Sequence, residues 1–191
     1  MSATEKTRYP IELALEVAQQ LSLVLSPHCL QIQTVGSVRR AKPTVGDLEI
    51  LYIPRNANII PDGELFSRPV IAPDPIIAQL ITSGVLAKRL KSNGTTTFGQ
   101  LNKLLLHTAT GLPVDLFATS SVGWWNNLVA RTGGKAMNVE IASAAIRQGM
   151  HWEMYGGCFT IDRTGAKIYP QSEKDVFSIV GKDYLEPHLR P

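Results

Sequence analysis

"GSVRRAKPTVGDLEIL" (residues 36–51) is the stretch whose reading decides the fold. Gly36-Ser37 and the pair Arg39-Arg40 precede Gly46, and that glycine is followed by two carboxylates, Asp47 and Glu49, spaced i, i+2. In a strand, residues i and i+2 face the same side, so the two acids project together while Leu48, Ile50 and Tyr52 point to the opposite face. Acids at the head of an apolar strand are costly unless a cation neutralises them. The arginines and a metal ion are both candidates for that cation.

A third acid, Asp115, sits inside the apolar run "LPVDLFA". If that run is a strand beside 47–53, three carboxylates converge, and like charges push one another's pKa values up. Hard oxygen ligands of this charge suit Mg²⁺, which takes few protein carboxylates and completes its shell with water and substrate phosphates. Two such ions would clamp an in-line phosphoryl or nucleotidyl displacement. Gly36 and Ser37 can turn backbone N–H groups toward a polyphosphate at a helix start, and Arg40 offers a fork to phosphate oxygens. Taken singly, a D-x-E pair or an "RRAK" segment reads as well as solvated surface. Together, within 14 residues and with a strand acid downstream, they read as a site.

Outward from this stretch, the chain of 191 residues is long enough to bury a core without disulfides. Hydrophobic residues make up 44% and charged residues 18%, an ordinary globular balance, and no run approaches a membrane span. The start "MSATEKTRYP" lacks a signal-peptide shape, so a soluble, intracellular, cytoplasmic protein is expected. A net charge of +3 is compatible with a polyanionic partner without requiring one. Cys29 and Cys158, far apart, read as buried free thiols, and the four histidines are too scattered for a metal or triad site.

Residues 10–26 read as an amphipathic helix opened by Pro10 and stopped by Pro27, and 30–35 and 47–53 as strands. A Pro-rich connection spans Pro54 to Pro75, followed by a helix from about 75 to 83. A meander follows, with turns at Ser92-Asn93-Gly94 and Ala109-Thr110-Gly111. Composition shifts near Ser120. Helices are expected on both sides of Thr132-Gly133-Gly134, then a hairpin turning at Gly156-Gly157, then a short helix begun by a Ser cap. The fold class is α+β: a mixed sheet with helices over 1–120, and a smaller helix and β-hairpin unit over 121–191.

The stretch resembles the nucleotidyltransferase signature Gly-Ser, Arg-Arg, Gly-Asp-x-(Asp/Glu) of family X DNA polymerases of the polymerase β type. "PVDLF" resembles that family's third catalytic-aspartate strand, "RTGGKAMN" its Thr-Gly-Ser turn with a following Asn, and "SEKDVFSIVGKDYLEPHLR" its C-terminal ending. The resemblance implies a palm over 1–120 and a C-terminal nucleotide-binding subdomain (thumb or fingers) over 121–191. It implies Asp47, Glu49 and Asp115 as metal ligands and catalytic acids, Asp115 also helping to activate a primer 3′-hydroxyl. Gly36, Ser37, Arg40 and Gly46 match positions around the triphosphate. Ala130, Thr132 and Gly133 match the turn beside the sugar, and Asn138 the residue at the base's minor-groove edge.

The implied activity is Mg²⁺-dependent addition of (d)NMP to a primer 3′-hydroxyl with two metal ions, Mn²⁺ able to substitute, in short-gap filling during DNA repair or replication. The implied partners are primer-template or gapped DNA and a dNTP or rNTP, with no membrane, and a monomer is expected. The alternative is transfer of NMP to a small molecule, RNA or protein, toward which Glu49 in place of the usual Asp points. Other departures are Pro113 where the family has an arginine two residues before the third acid, Ala130-Arg131 for an aromatic pair, and Ala142 for a template-contacting arginine. The resemblance leads us to expect a minimal, two-subdomain member of the family, without a lyase or helix-hairpin-helix module ahead of the palm-like part. Trp124 and Trp125 read as base-stacking platforms or, better, as core packing. Lys88, Arg89 and Lys91 read as a phosphate track or a solvated hairpin.

Overall fold

Pro10 presets the backbone for a first helical turn, and the apolar residues that follow recur at helical spacing. In the computed structural model, which describes residues 7–59, 68–90 and 94–191, this segment is helix α1 (Ile11–Leu25). It follows a two-residue strand β1 (Tyr9–Pro10) and buries Ala14, Val17, Ala18, Leu21 and Leu25. The chain then forms β2 (Cys29–Val35), a single helical turn α2 (Gly36–Arg39), β3 (Thr44–Val45) and β4 (Leu48–Pro54). The "RRAK" segment is thus part of a helical turn with a defined stop. Ala41 N–H donates to the Val38 carbonyl and Lys42 N–H to that of Ser37, with Ala41 held at φ 54°, the Schellman arrangement that glycine usually supplies.

The sequence reads Pro54–Pro75 as a Pro-rich connection. It carries two short paired strands, β5 (Asn56–Ile59) and β6 (Arg68–Ile71). Helix α3 begins at Pro73, slightly earlier than its periodicity suggested, because two prolines suit a first turn. The meander is β7 (Leu86–Lys88), β8 (Asn102–His107) and β9 (Pro113–Ala118). Lys91, Ser92 and Asn93, parts of the expected turn and basic cluster, lie outside the described residues.

These strands form one mixed sheet of order β2-β4-β9-β8-β7, in which only β4 and β9 run parallel. Leu48, Ile50, Tyr52, Leu105, Val114 and Leu116 pack on one face against α1 and Ile77 of α3. The other face carries Val35, Leu51, Ile53 and Phe117, covered by Trp124 and Leu128 of helix α4 (Trp124–Thr132). Trp124 is buried in that core, as packing rather than base stacking expects, and Trp125 is half-buried.

Beyond α4, helix α5 (Lys135–Arg147) packs on an antiparallel sheet of β10 (Met150–Glu153), β11 (Cys158–Ile161) and β12 (Lys167–Ile168). The expected hairpin therefore gains a third, two-residue strand. Helix α6 (Glu173–Ser178) starts as expected at Ser172, whose hydroxyl accepts from Asp175 N–H at 3.1 Å. Among the described residues no helix is long and apolar enough to cross a membrane.

Two close contacts tie these parts together. Gly36 turns the chain from β2 into α2 at φ +65°, a region L side chains rarely occupy, and a Cβ there would lie 1.8 Å from Glu49 Oε2. Arg39 donates to Glu173 through Nη1 at 2.7 Å and Nη2 at 2.9 Å, and Arg190 Nη1 donates to the same carboxylate at 2.8 Å. Burial alone would raise the Glu173 carboxyl, but the hydrogen bonds and charges of Arg39 and Arg190 outweigh it and hold it below its usual range.

Gly36→Ala is expected to lower stability by about 1–2 kcal/mol from the left-handed backbone alone, with more from the displaced Glu49, read by denaturant unfolding. Glu173→Gln is expected to cost about 3–5 kcal/mol near neutral pH, because Arg190 is left as a buried charge without its counter-ion. A carboxyl with a depressed folded pKa lends its stabilisation fully above its unfolded value, about 4.3, and loses it as pH falls through the folded value. Glu173→Gln should therefore flatten the acid limb of the stability profile below about pH 4, measured by thermal melts across pH.

Candidate active site

Register puts the acids together. Glu49 on β4 is the direct partner of Asp115 on β9, and partners across a sheet point to the same face. Asp47 stands two residues before Glu49, immediately ahead of the strand. Their proximity is visible in the Glu49 carboxyl, pushed up to about 7 first by burial and then by the charges of Asp47 and Asp115, with Arg131 and Arg40 acting in the opposite direction. Glu49 sits against the bare Cα of Gly36, while Gly46, buried, leads into Asp47.

Asp115 is turned toward a different cation. Its Oδ1 accepts from Arg89 Nη2 at 2.7 Å. Arg89 N–H in turn donates to the Leu104 carbonyl, and Leu104 is the partner of Asp115, so the arginine stands in line with the acid, two strands away across β8. Pro113 therefore does not leave this acid without a basic neighbour: Arg89 supplies one from another strand. Among the described residues no three His, Cys, Asp or Glu side chains are gathered as a metal-binding group. The Arg89 pair is a physical reason, since it holds Asp115 Oδ1 on a guanidinium.

The α2 turn faces the end of α4. Arg39 Nη1 donates to Thr132 Oγ1 at 2.8 Å, and Arg40 Nη1 donates to the Thr132 carbonyl. Two cations at a helix C-terminus meet its partial negative charge and satisfy a terminal carbonyl. Burial lowers the Arg40 pKa, Glu49 opposes that shift, and Arg190 adds to it.

Five of the expected nucleotide-site and metal-site residues line a single cavity of about 510 Å³: Arg40, Glu49, Ala130, Gly133 and Asn138. Asn138 Nδ2 donates to the Ala130 carbonyl at 2.7 Å, fixing α5 to the last turn of α4. Thr132 is fully buried with its hydroxyl on Arg39, so it braces the cavity from behind. Gly36, Ser37, Gly46, Asp47 and Asp115 lie outside that lining, Ser37 half-buried on α2. Arg131 and Lys135 line it as well, which adds cations that motif matching did not assign to the site. Arg39 was also missed, although its place beside Arg40 in the pair was the available signal.

Residues 127–191 match a family model described as DNA polymerase beta thumb. No curated protein matches the chain in sequence. Among solved structures, Leishmania infantum polymerase beta in a ternary P/T complex superposes with a TM-score of 0.71 at 20% identity, covering 97% of this chain and 77% of that one. The same protein in a ternary gap complex gives a TM-score of 0.72 at 19% identity, covering 96% and 71%. Residues 127–191 are thus similar to the DNA polymerase beta thumb, and the fold as a whole is like that of the solved polymerase beta structures.

Proposed function

We propose that the chain is a DNA-directed nucleotidyltransferase that adds a nucleotide monophosphate to a primer 3′-hydroxyl, with residues 1–120 as palm and 121–191 as nucleotide-binding subdomain. The observation that carries this reading is the in-register meeting of Glu49 and Asp115 on one sheet face, with Asp47 adjacent. That the solved polymerase beta structures are P/T and gap complexes supports DNA as the partner. Short-gap filling in repair or replication is the role we assign.

The residues fit a divalent cation. Glu49 and Asp115 present their oxygens from one sheet face with Asp47 adjacent, and the Glu49 carboxyl, pushed up first by burial and then by those two acids, marks an anionic cluster short of positive charge. Asp47, Glu49 and Asp115 would hold Mg²⁺ or Mn²⁺, which when bound supplies charge neutralisation at the transferred phosphoryl group. Asp115 leaves Arg89 to take part, and its carboxylate receives the proton of the primer hydroxyl. Arg40 and Lys135, both lining the cavity, present charge to the triphosphate, and Gly36 and Ser37, on the same turn as Arg40 but outside the lining, are assigned to its backbone contacts. Asn138 holds the floor beside the base by fixing the Ala130 carbonyl.

Primer extension on single-stranded, recessed and gapped DNA tests this. Asp47→Asn and Asp115→Asn should stay folded and lose incorporation by several orders of magnitude, because positioned charge is most of phosphoryl-transfer catalysis. Wild-type inactivity on every DNA, with NMP transfer to a small or RNA acceptor, would replace this reading with the alternative that Glu49 suggests. DNA affinity should fall on the order of tenfold between about 50 and 200 mM salt, measured by fluorescence anisotropy, since phosphate contacts dominate.

Sugar choice should be weak. Ala130 lines the cavity with a small side chain, and a pocket without a tight wall rejects an added hydroxyl by about 10²-fold or less. The ratio of kcat/KM for dNTP over the matching rNTP should be low in wild type and rise in Ala130→Tyr.

A further inference from the structure

Arg131, the penultimate residue of α4, is held in an unusual way for a charged side chain. Its guanidinium carbon lies 3.5 Å from the Phe117 ring centroid and 4.8 Å from that of Tyr155. Phe117 stands two residues beyond Asp115 on β9, buried on the sheet face that carries the acids. Tyr155, in the connection between β10 and β11, is largely exposed. Two separate elements thus converge on the guanidinium that α4 carries, and stacking on rings restricts it as a plane.

The stack also has a position. Arg131 and Glu49 line the same cavity of about 510 Å³, and Arg131 and Tyr155 line a neighbouring one of about 500 Å³, so the stacked pair forms a wall common to both. Arg131 Nε is buried without a hydrogen-bond partner, and among the described residues the side chain makes no direct ion pair. Its charge is thereby held on the wall of the cavity that Glu49 also lines. Asp115 has Arg89 in direct contact, whereas among the described residues Glu49 makes no direct ion pair and shares its cavity with a guanidinium that the rings keep from swinging into solvent.

We propose that Arg131 is a resident counter-ion of the site, fixed by Phe117 and Tyr155, against whose charge a divalent cation at Glu49 must bind. This rests on the reading of Asp47, Glu49 and Asp115 as a cation site. A cation acting through space need not be displaced when the metal enters. It lowers metal affinity by an amount set by its charge and distance, which for one unit charge near a partly solvated site is about three- to tenfold. Arg131 is a positioning residue by this account, and its effect is on metal affinity before any nucleotide arrives.

The test is Mn²⁺ binding to the full chain without nucleotide or DNA, from the free Mn²⁺ signal in electron paramagnetic resonance at fixed pH and ionic strength. Arg131→Met should bind Mn²⁺ about three- to tenfold more tightly than wild type, and Arg131→Lys should stay within about twofold of wild type because it keeps the charge. Tyr155→Leu, at an exposed position tolerant of change, should release one side of the stack and tighten binding in the same direction if Arg131→Met does not fold. Unchanged or weaker binding in Arg131→Met, an equal shift in Arg131→Lys, or no shift in Tyr155→Leu overturns the proposal. Asp47→Asn separates the two levels. If it leaves Mn²⁺ binding intact, the cation-site reading fails and the role of Arg131 with it. If it abolishes binding while Arg131→Met changes nothing, only the role of Arg131 fails.

Discussion

The parallel pairing of β4 with β9 is the constraint on which the site depends. Parallel neighbours cannot be joined by a tight turn, so the chain must travel away and return between Pro54 and Pro113. Among the described residues of that interval, β5 and β6 pair with each other outside the sheet, α3 covers its core face, and β7 and β8 extend it. A slip of one residue in the β4–β9 register would turn Glu49 or Asp115 into the apolar face occupied by Ile50 and Leu116. The flanking Leu48, Ile50, Val114 and Leu116, all fully buried, oppose that slip.

The same face receives the second half of the molecule through arginine chemistry. Arg39 reaches both Thr132 and Glu173, Arg40 reaches the Thr132 carbonyl, and Arg190 closes on Glu173. A four-residue turn, stopped by Ala41 in a left-handed conformation, therefore sets the end of α4 and the start of α6 at once. Guanidinium suits this task because one planar fork can serve several oxygens at fixed angles. Apolar contact through Trp124, Leu128, Phe117 and Val35 fills the space beneath.

What could be read from the sequence follows from how local each signal was. The shared face of Asp47 and Glu49 is a property of strand geometry, and the caps at Pro10 and Ser172 are local too. Asp115 could be named as a strand acid, but its place beside Glu49 depends on which strands pair, a long-range fact. The Arg39–Glu173 contact spans 134 residues and leaves no local trace. Arg89 reads in the sequence as one member of a basic cluster, and only the β8 register shows it in line with Asp115 across the sheet. The paired strands at 56–59 and 68–71 escaped because prolines and a long intervening stretch obscure alternation. The β12 strand is too short to carry a pattern.

The missing side chain at Gly36 makes positions 36 and 49 a single steric unit. The Glu49 carboxylate occupies the volume in which a residue-36 methyl would stand. An aspartate at position 49 would withdraw its oxygens by the length of one methylene and leave a gap over the glycine. Lengthening residue 36 would push the glutamate off its place. Exchange of acid for acid is thus not conservative here: the length of one side chain is matched to the absence of the other, and the two positions can change safely only in concert.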